Sequence, residues 1–213
     1  MTELSPALVR RLPRYFRTLI KFYAKGKERI SSDELASELG LVPSQVRTDL
    51  KALGCIGQRS YGYGIPTLYK KIADILQLSD KFTAVIVGSG DIVRAISKTE
   101  VFTKRGIKLG AVFTEENEKD FFDAPLCTEY SLSSFSRYFE AAAPDIIIFG
   151  GEQAYVEVLS YLESNAKNTS NPTEVWNFTG DDLSSDIITV KNIHLSDYVM
   201  LLCYEAGKSN DKI

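Results

Sequence analysis

The sequence predicts an α/β protein in which an N-terminal winged-helix domain precedes a Rossmann-like, doubly wound parallel sheet. Two observations predict this order: short, capped amphipathic helices fill residues 1–80, and apolar strands alternate with helical segments from residue 81 onward. A third is the stretch "GSGDIV", residues 88–93, which directly follows the apolar run "KFTAVIV". We therefore place one domain at 1–80, a second at 81–193, and a C-terminal helix with its tail at 194–213.

Charge is distributed unevenly along the 213 residues. Residues 1–80 carry 13 Lys and Arg against 8 Asp and Glu, whereas residues 81–213 carry 12 against 20. The first region therefore has a net charge of +5 and the second −8, which sum to the overall −3. A basic region beside an acidic one indicates that the N-terminal domain meets a polyanion.

Composition argues against several classes of protein. Cys55, Cys127 and Cys203 are widely spaced and lack a C-x-x-C pair, and His194 is the single histidine, so we predict neither a disulfide framework nor a metal site. No run approaches the roughly 18 apolar residues of a membrane span, and charges interrupt the N-terminus where a signal peptide is apolar. We expect a cytoplasmic protein without a membrane partner.

The first two helices are predicted from periodicity and capping signals. In "RLPRYFRTLIKFYAKG" apolar residues recur at helical spacing, Pro13 suits a first turn and Gly26 a stop; the apolar stripe comprises Leu12, Phe16, Leu19, Ile20 and Tyr23. Arg10, Arg14 and Arg17 fall off this stripe, so we expect them to face solvent. In "SSDELASELG", Ser31 and Glu34 form a capping box, and Gly40 ends the helix.

The third helix, "PSQVRTDLKALG", is the predicted recognition helix of a helix-turn-helix. Pro43 suits its first turn, Gly54 its end, and Val46, Leu50 and Leu53 its buried stripe. The opposite face is polar and basic, a composition that suits base edges and phosphates in the major groove; it comprises Ser44, Gln45, Arg47, Thr48 and Lys51. The alternative is the solvated face of a small helical bundle.

The stretch "GQRSYGYG", residues 57–64, favours the DNA-binding interpretation. Its glycines bracket Arg59 and Tyr61, as in a tight hairpin whose tip carries a cation and an aromatic ring. Such a wing can place an arginine in a narrow minor groove. An ordinary glycine-rich connector is the alternative. "IPTLYKKIADILQL" then closes the domain as an amphipathic helix.

The rest of the chain alternates strands with helices. Five stretches are predicted strands, of which the earlier ones are near-continuous apolar runs suited to a parallel sheet: "FTAVIVG", "IKLGAVFT", "PDIIIFGG", "TEVWNFT" and "DIITVKNIHL". Three are predicted helices: "DIVRAISKTEVFTKR", "SLSSFSRYFEAA" and "QAYVEVLSYLESNA". Right-handed crossovers then place a ligand at the C-terminal strand ends, beside Gly88, Gly150 and Asn177.

The loop after the first strand carries two of the three glycines of a G-x-G-x-x-G fingerprint. Gly88 permits the tight turn and Gly90 a close approach of the backbone to a pyrophosphate, but Val93 stands where the third glycine belongs. Asp91 brings a negative charge near the phosphates. The second strand ends in Thr114 rather than in the acid that holds an adenosine ribose, and Glu115 or Glu116 could substitute. Three interpretations stay open: a dinucleotide site, a fold that has lost its ligand, or another ligand.

The order of these parts resembles the Rex family, bacterial redox-sensing transcriptional repressors that join a winged helix to a Rossmann domain sensing NADH against NAD⁺. The resemblance covers most of the chain and rests on "RLPRYFRTL", on "SSDELASELGLVPSQVRTDLKALGCIGQRSYGYGI" with its V-R-x-D-L pattern, and on "TEVFTKRGIKLGAVF", "VWNFTG" and "NIHLSDYVMLLCY". It implies a homodimer that exchanges its last helix. "YVMLLCY" is apolar on nearly every face, which agrees with burial between subunits.

Departures from the family pattern cluster at the ligand site. Val93 and Thr114 replace a glycine and an acid, Thr99 replaces a tyrosine near the nicotinamide, and His194 replaces an aspartate of the link between subunits. "GGEQ" and "NFTGD" replace loops that usually read A-V-P-A and N-F-A-P-V. The resemblance implies NAD(H) contacts from four segments: Gly88, Ser89, Gly90, Asp91, Ile92 and Val93; Thr114 and Glu115; Gly150 and Gly151; and Asn177, Phe178 and Thr179.

From the residues and this resemblance we predict a homodimeric DNA-binding regulator, a repressor that binds a pseudo-palindromic operator and responds to NADH and NAD⁺. The alternative is a Rex-like paralogue that has lost NAD(H) sensing and binds DNA constitutively or responds to another effector. An enzymatic role is not predicted, because a nicotinamide dehydrogenase needs a proton donor and His194 is poorly placed to supply one.

Overall fold

The computed structural model describes residues 4–55, 62–78, 82–115, 127–151, 155–166 and 173–210. The chain divides into two compact units, Met1–Ser79 and Asp80–Ile213. Each unit has apolar clusters of its own.

Four helices and a short antiparallel strand pair form the first unit. The helices are α1 (Pro6–Ala24), α2 (Ser32–Leu39), α3 (Pro43–Ala52) and α4 (Ile65–Ile75), and the strands are β1 (Arg29–Ile30) and β2 (Tyr63–Gly64). All four helices contribute to one core, which includes Leu12, Leu35, Leu50 and Leu68. One half of the predicted capping box is present, since the Ser31 hydroxyl accepts a hydrogen bond from the Glu34 amide at 3.1 Å, while the Glu34 carboxylate pairs with Lys27. Gly40 ends α2 in the left-handed conformation.

The first helix differs from its predicted form. It begins at Pro6 after the cap Ser5, so Pro13 lies inside the helix and not in its first turn. Leu8 and Tyr15 lie on the buried stripe together with Leu12, Phe16 and Leu19, whereas Ile20 and Tyr23, at its predicted edge, are exposed. Arg10, Arg14 and Arg17 are exposed as predicted, and Arg14 also donates to the Leu39 carbonyl at the end of α2.

The predicted hairpin falls largely on residues 56–61, outside the described residues. Its last residues form β2, which pairs with β1 and aligns Arg29 with Gly64 and Ile30 with Tyr63. A Cβ on Gly62 would lie 2.4 Å from the Ile30 carbonyl oxygen, so this crossing requires glycine.

The second unit is built on a six-stranded parallel sheet in the order β5-β4-β3-β6-β7-β8. This is the 3-2-1-4-5-6 order of dinucleotide-binding folds, which confirms the predicted Rossmann-like class. The strands are β3 (Phe82–Val87), β4 (Ile107–Thr114), β5 (Thr128–Ser131), β6 (Ile146–Phe149), β7 (Glu174–Asn177) and β8 (Thr189–Asn192).

Helices cover both faces of this sheet. Helix α5 (Gly90–Lys98) packs Val93 and Ile96 on the face that carries Ile86 and Val112. Helices α6 (Phe135–Ala142) and α7 (Tyr155–Asn165) pack on the opposite face, which carries Val85 and Phe113. The last helix, α8, spans Leu195–Asn210.

Two predicted helices and one strand require correction. The helix predicted over 91–105 breaks at Thr99, whose backbone is extended, and a separate 3-10 turn follows at Thr103–Arg105. The helix predicted over 131–142 begins at Phe135, because Ser131 ends β5 and a 3-10 turn intervenes. Strand β5 was not predicted; it lies at the sheet edge and its sequence, TEYS, has no apolar run.

Candidate functional site

Helix α3 presents a polar face to solvent. Val46, Leu50 and Leu53 are buried as predicted, and the exposed residues are Ser44, Arg47, Thr48 and Lys51. The Arg47 guanidinium lies 3.1 Å from the Ser32 hydroxyl at the start of α2, and the Thr48 hydroxyl donates to the Ser44 carbonyl at 3.0 Å. This face can donate hydrogen bonds to base edges and phosphates. The predicted wing residues Arg59 and Tyr61 lie outside the described residues.

Gln45 does not share that face. Its side chain is half-buried, and its amide donates to Asp49 Oδ1 at 2.8 Å. The sequence placed Gln45 with the exposed group because helical spacing alone does not reveal an inward partner. Its role in the structure is to hold Asp49.

Asp49 anchors α3 to α1. Its side chain is 3% exposed, and its carboxylate accepts two hydrogen bonds from Arg11, at 2.8 and 2.7 Å. It also accepts one from the Tyr15 hydroxyl at 3.0 Å and the one from the Gln45 amide. Burial by itself raises the pKa of Asp49, but these hydrogen bonds and the Arg11 charge outweigh it, so the net pKa is lowered. Burial and the Asp49 hydrogen bond raise the pKa of Tyr15.

This anchor fixes the direction in which the exposed face of α3 points, and sequence reasoning missed it. The available signal was Asp49 next to Leu50, on the buried side of an otherwise basic helix. A carboxylate there requires a buried partner.

The loops after β3 and β6 meet at the centre of the sheet. These strands are neighbours at the point where the strand order reverses, which is where such sheets bind ligands. A Cβ on Gly88 would lie 1.8 Å from the Gly150 carbonyl oxygen, and one on Gly151 would lie 2.7 Å from the Ser89 carbonyl oxygen. Both glycines have positive φ, so the contact of these two loops depends on them.

The N-terminus of α5 opens onto free space. Gly90 begins the helix with φ +89°, and a Cβ there would meet nothing within 4 Å. The preceding Ser89 makes no side-chain cap, and the first amides of an α-helix have no partner within the helix, so those of α5 can donate to an anion. These features fit a pyrophosphate.

Val93 is accommodated by a glycine on the other loop. The side chain is buried, and a Cβ on Gly150 would lie 2.6 Å from Val93 Cγ2. The bulk added at the third fingerprint position therefore occupies the space that a side chain at residue 150 would need. Asp91 next to it is exposed and pairs with Arg94 at 3.3 Å.

Ile92 and Phe178 line an apolar cavity of about 370 Å³ beside α5. The remaining lining residues come from α5 and from the chain around the start of α8: Asp91, Ala95, Ile96, Ile193, Leu195 and Tyr198. An almost wholly apolar cavity of this size suits a flat ring.

The end of β4 carries a carboxylate that the sequence did not reveal. Thr114 is buried, and its hydroxyl donates to Glu129 Oε1 on the neighbouring strand β5 at 2.9 Å. Glu115, the predicted substitute for the ribose-binding acid, is exposed, and Glu116 lies outside the described residues. Glu129 was missed because β5 itself was missed.

The side chain of Asn177 makes four hydrogen bonds within the protein. Its amide nitrogen donates to the Asp181 carbonyl at 2.7 Å and to the Asn192 side chain at 2.8 Å. Its oxygen accepts hydrogen bonds from the backbone amide and the hydroxyl of Thr179. Asn177 and Thr179 thus shape the loop that follows β7. That these two residues contact the cofactor stays a prediction. Their side chains do not favour it, because the polar atoms already bond within the protein.

Helix α8 is apolar and exposed. The exposed residues include Leu195, Tyr198, Val199, Met200, Leu201, Leu202 and Tyr204, each at least 50% accessible. Just before the helix, His194 Nε2 lies 2.8 Å from Asp182 Oδ1, and this hydrogen bond raises the pKa of His194. Among the helices within the described ranges, none is both long and apolar enough to cross a bilayer.

Comparisons with known proteins agree with both units. Residues 3–51 match a family described as "Putative DNA-binding protein N-terminus". A redox-sensing transcriptional repressor Rex of Clostridium novyi is 32% identical over 213 residues, covering 95% of each chain. A Rex protein of Clostridium botulinum strain Hall is 32% identical over 202 residues, covering 94% of each.

Solved structures are similar over nearly the whole chain. RSP in complex with NAD⁺ and operator DNA is 28% identical with a TM-score of 0.81, covering 99% of this chain and 95% of that one. RSP in complex with NADH is 26% identical with a TM-score of 0.79, covering 99% and 97%. RSP is described as a Rex-family repressor.

Proposed function

Because this chain belongs to the Rex family of redox-sensing transcriptional repressors, we propose that it represses transcription by binding an operator as a homodimer under the control of NADH and NAD⁺. The observation that carries the proposal is the exposed polar and basic face of α3, oriented by the buried Asp49 anchor. The DNA- and NAD⁺-bound structure of RSP, a similar protein, supports both partners.

DNA reading is assigned to α3 and to the wing. Ser44, Arg47, Thr48 and Lys51 face the major groove, while Arg59 and Tyr61 of the wing reach the minor groove. Gln45 acts indirectly, through its hydrogen bond to Asp49. A twofold dimer of such readers requires a pseudo-palindromic site with its half-sites separated by whole helical turns.

The dimer is assigned to α8. A helix with large apolar side chains exposed around it, as at Val199, Leu201 and Leu202, needs cover from another surface. A second copy of the same helix, exchanged between subunits as the family resemblance implies, supplies that cover. Twofold symmetry then satisfies both copies at once.

The dinucleotide is assigned to the edge of the sheet where β3 and β6 end. The free amides of α5 hold the pyrophosphate over Gly90, Gly88 and Gly151 keep the two loops close, and the apolar cavity beside Phe178 accepts the nicotinamide. The bound nicotinamide supplies a ring charge that differs between NADH and NAD⁺. Regulation requires that one dimer arrangement bind NADH better than the other, since only this difference moves the DNA equilibrium.

We assign a regulatory rather than an enzymatic role, because the similar proteins are named as repressors. A repressor works where the chromosome is, so we also propose a cytoplasmic location.

The test is operator binding by a charge-matched pair of variants. The probe is a duplex selected from random sequence by the wild-type protein. Arg47→Ala should weaken binding to this duplex by about 1 to 3 kcal/mol because a base contact is lost. Lys191→Ala, which removes an exposed charge from β8, should leave it unchanged. Fluorescence anisotropy at moderate salt measures both.

Three results would contradict parts of the proposal. If wild-type protein selects no sequence, it does not read DNA specifically. If Arg47→Ala and Arg59→Ala both bind normally, the reading surface is assigned wrongly. Addition of NADH to the wild-type complex should change its affinity more than NAD⁺ does, and equal responses would remove the redox function.

A further inference from the structure

The carboxyl end of β4 is where a dinucleotide-binding sheet usually places the acid that accepts the hydroxyl groups of the adenosine ribose. In this chain Thr114 ends the strand and has no charge. Its side chain is nonetheless engaged, since its hydroxyl donates to Glu129 Oε1 at 2.9 Å. A carboxylate is therefore present at this strand end, although β5 supplies it.

Glu129 lies on the face of the sheet that carries the glycine loop. In the β4–β5 register it is the partner of Val112, and Val112 packs with Val93 and Ile96 of α5. Thr114 lies two residues after Val112 and so projects from the same face. The neighbours Phe113 and Tyr130 stack on each other at the opposite face. The Glu129 carboxylate and the N-terminus of α5 thus share one face and one end of the sheet.

We propose that Glu129 is the ribose-binding acid of this protein, with Thr114 as the residue that positions its carboxylate. The acid has moved from the end of β4 to the adjacent strand, and the hydroxyl left behind holds it in place. The inference deepens the proposed function and rests on the assignment of a dinucleotide to this cleft.

The chemistry favours an unphosphorylated ribose. A carboxylate can accept roughly four hydrogen bonds, and Thr114 uses one of them, so the two ribose hydroxyls can donate to the others. A 2′-phosphate would bring a second negative charge against the same group. Glu129 should therefore select NAD(H) over NADP(H).

Glu157 is the matched control. It is an exposed glutamate in the first turn of α7, which packs on the face of the sheet opposite to α5. It carries the same charge, so its removal tests whether the loss of any acid from this unit suffices.

The experiment is a calorimetric titration of NADH and NADPH into the full-length protein, with energy transfer from Trp176 as a second readout. Glu129→Gln should weaken NADH binding by about 10- to 100-fold and reduce the preference for NADH over NADPH. Glu157→Gln should change neither value. Thermal unfolding of each variant checks that the fold is retained.

A positional exchange separates ligand contact from a purely structural role. Thr114→Asp combined with Glu129→Gln returns the acid to β4, and it should recover most of the NADH affinity lost in Glu129→Gln. A purely structural Glu129 would instead lower the affinities for NADH and NADPH alike, without recovery, and that result overturns the inference.

The remaining outcomes distinguish this inference from the proposed function. If wild-type protein binds NADH and Glu129→Gln binds it equally well, the inference is wrong while the cofactor assignment stands. Equal affinity of wild-type protein for NADPH and NADH would likewise show that the inference is wrong while the cofactor assignment stands. If wild-type protein binds no NADH at millimolar concentration, the cofactor assignment and the inference fail together.

Discussion

Asp49 is a buried charge whose partners make it stabilising. A lone carboxylate at 3% exposure would be costly, but here Arg11, Tyr15 and Gln45 direct donors to both of its oxygens. The bidentate geometry of Arg11 also fixes an angle, because two parallel hydrogen bonds resist rotation of α3 against α1. At the scale of single residues, the proposed reading of DNA by α3 therefore depends on Asp49, whose side chain points into the domain.

Asp49→Asn should lower the free energy of unfolding at neutral pH by about 2 to 3 kcal/mol, since hydrogen bonds to a charged acceptor are lost. Folding lowers the pKa of Asp49, so the stabilisation is complete above the unfolded value of about 3.9 and is lost as the pH falls through the folded value. Denaturant unfolding of wild type and variant at pH 7 and near pH 3 measures this.

Asp74→Asn, an exposed change on α4, is the control and should stay within about 0.5 kcal/mol of wild type. A stability difference between Asp49→Asn and wild type that persists unchanged at acid pH would contradict the charged anchor.

At the scale of elements, α5 packs against the loop after β6 through one larger and one smaller residue, Val93 on the helix and Gly150 on the loop. Val93 places a methyl group where a residue other than glycine at 150 would place its Cβ. The family pattern has a glycine at position 93 on the helix and a larger residue at position 150 on the loop. This chain has the reverse, with Val93 on the helix and Gly150 on the loop. This explains how an incomplete fingerprint keeps its helix close to the sheet.

Gly150→Ala should destabilise the protein by about 1 to 3 kcal/mol through overpacking against Val93. Adding Val93→Ala should recover much of that loss, because the colliding methyl is removed. Thermal unfolding of the two single variants and the double variant gives the coupling energy between these positions. Additive effects would show that the two side chains do not compete for one space.

Predictability from sequence differs among the elements. The strands β3, β4 and β6 were predictable because their C-terminal residues are buried on both faces of the sheet and form near-continuous apolar runs. The caps Ser31 and Gly40 were equally clear, since their preferences are local. The polar edge strand β5 was not predictable, and the acid it supplies was missed with it, because pairing with β4 and not its own composition makes it a strand.

At the scale of the whole molecule, α8 indicates an assembly. A helix with Tyr198, Met200 and Leu202 exposed presents apolar side chains on several faces to water, which a stable monomer rarely does. The proposed dimer would bury them and would couple two copies of α3, the proposed DNA-reading helix. An operator with two half-sites then gains affinity from both readers.

Leu202→Glu should shift the protein from dimer to monomer, because it places a charge in the proposed interface while leaving the packing of the isolated subunit untouched. Sedimentation equilibrium measures the shift, and affinity for the selected duplex should fall with it. Val156→Glu changes an equally exposed apolar residue on α7 and should leave the dimer intact. Two variants with the same association constant would exclude α8 as the interface.

Local sequence patterns were enough to predict the class of each unit, a helix at α3 with an exposed polar face, and the glycine loop, because helical period, apolar strand runs and turn glycines are properties of neighbouring residues. Tertiary structure alone decided that Gln45 turns inward to Asp49, that Gly150 makes room for Val93, and that Glu129 meets Thr114. These contacts join residues on different turns, loops or strands, so they depend on strand register and helix orientation, which no local pattern specifies.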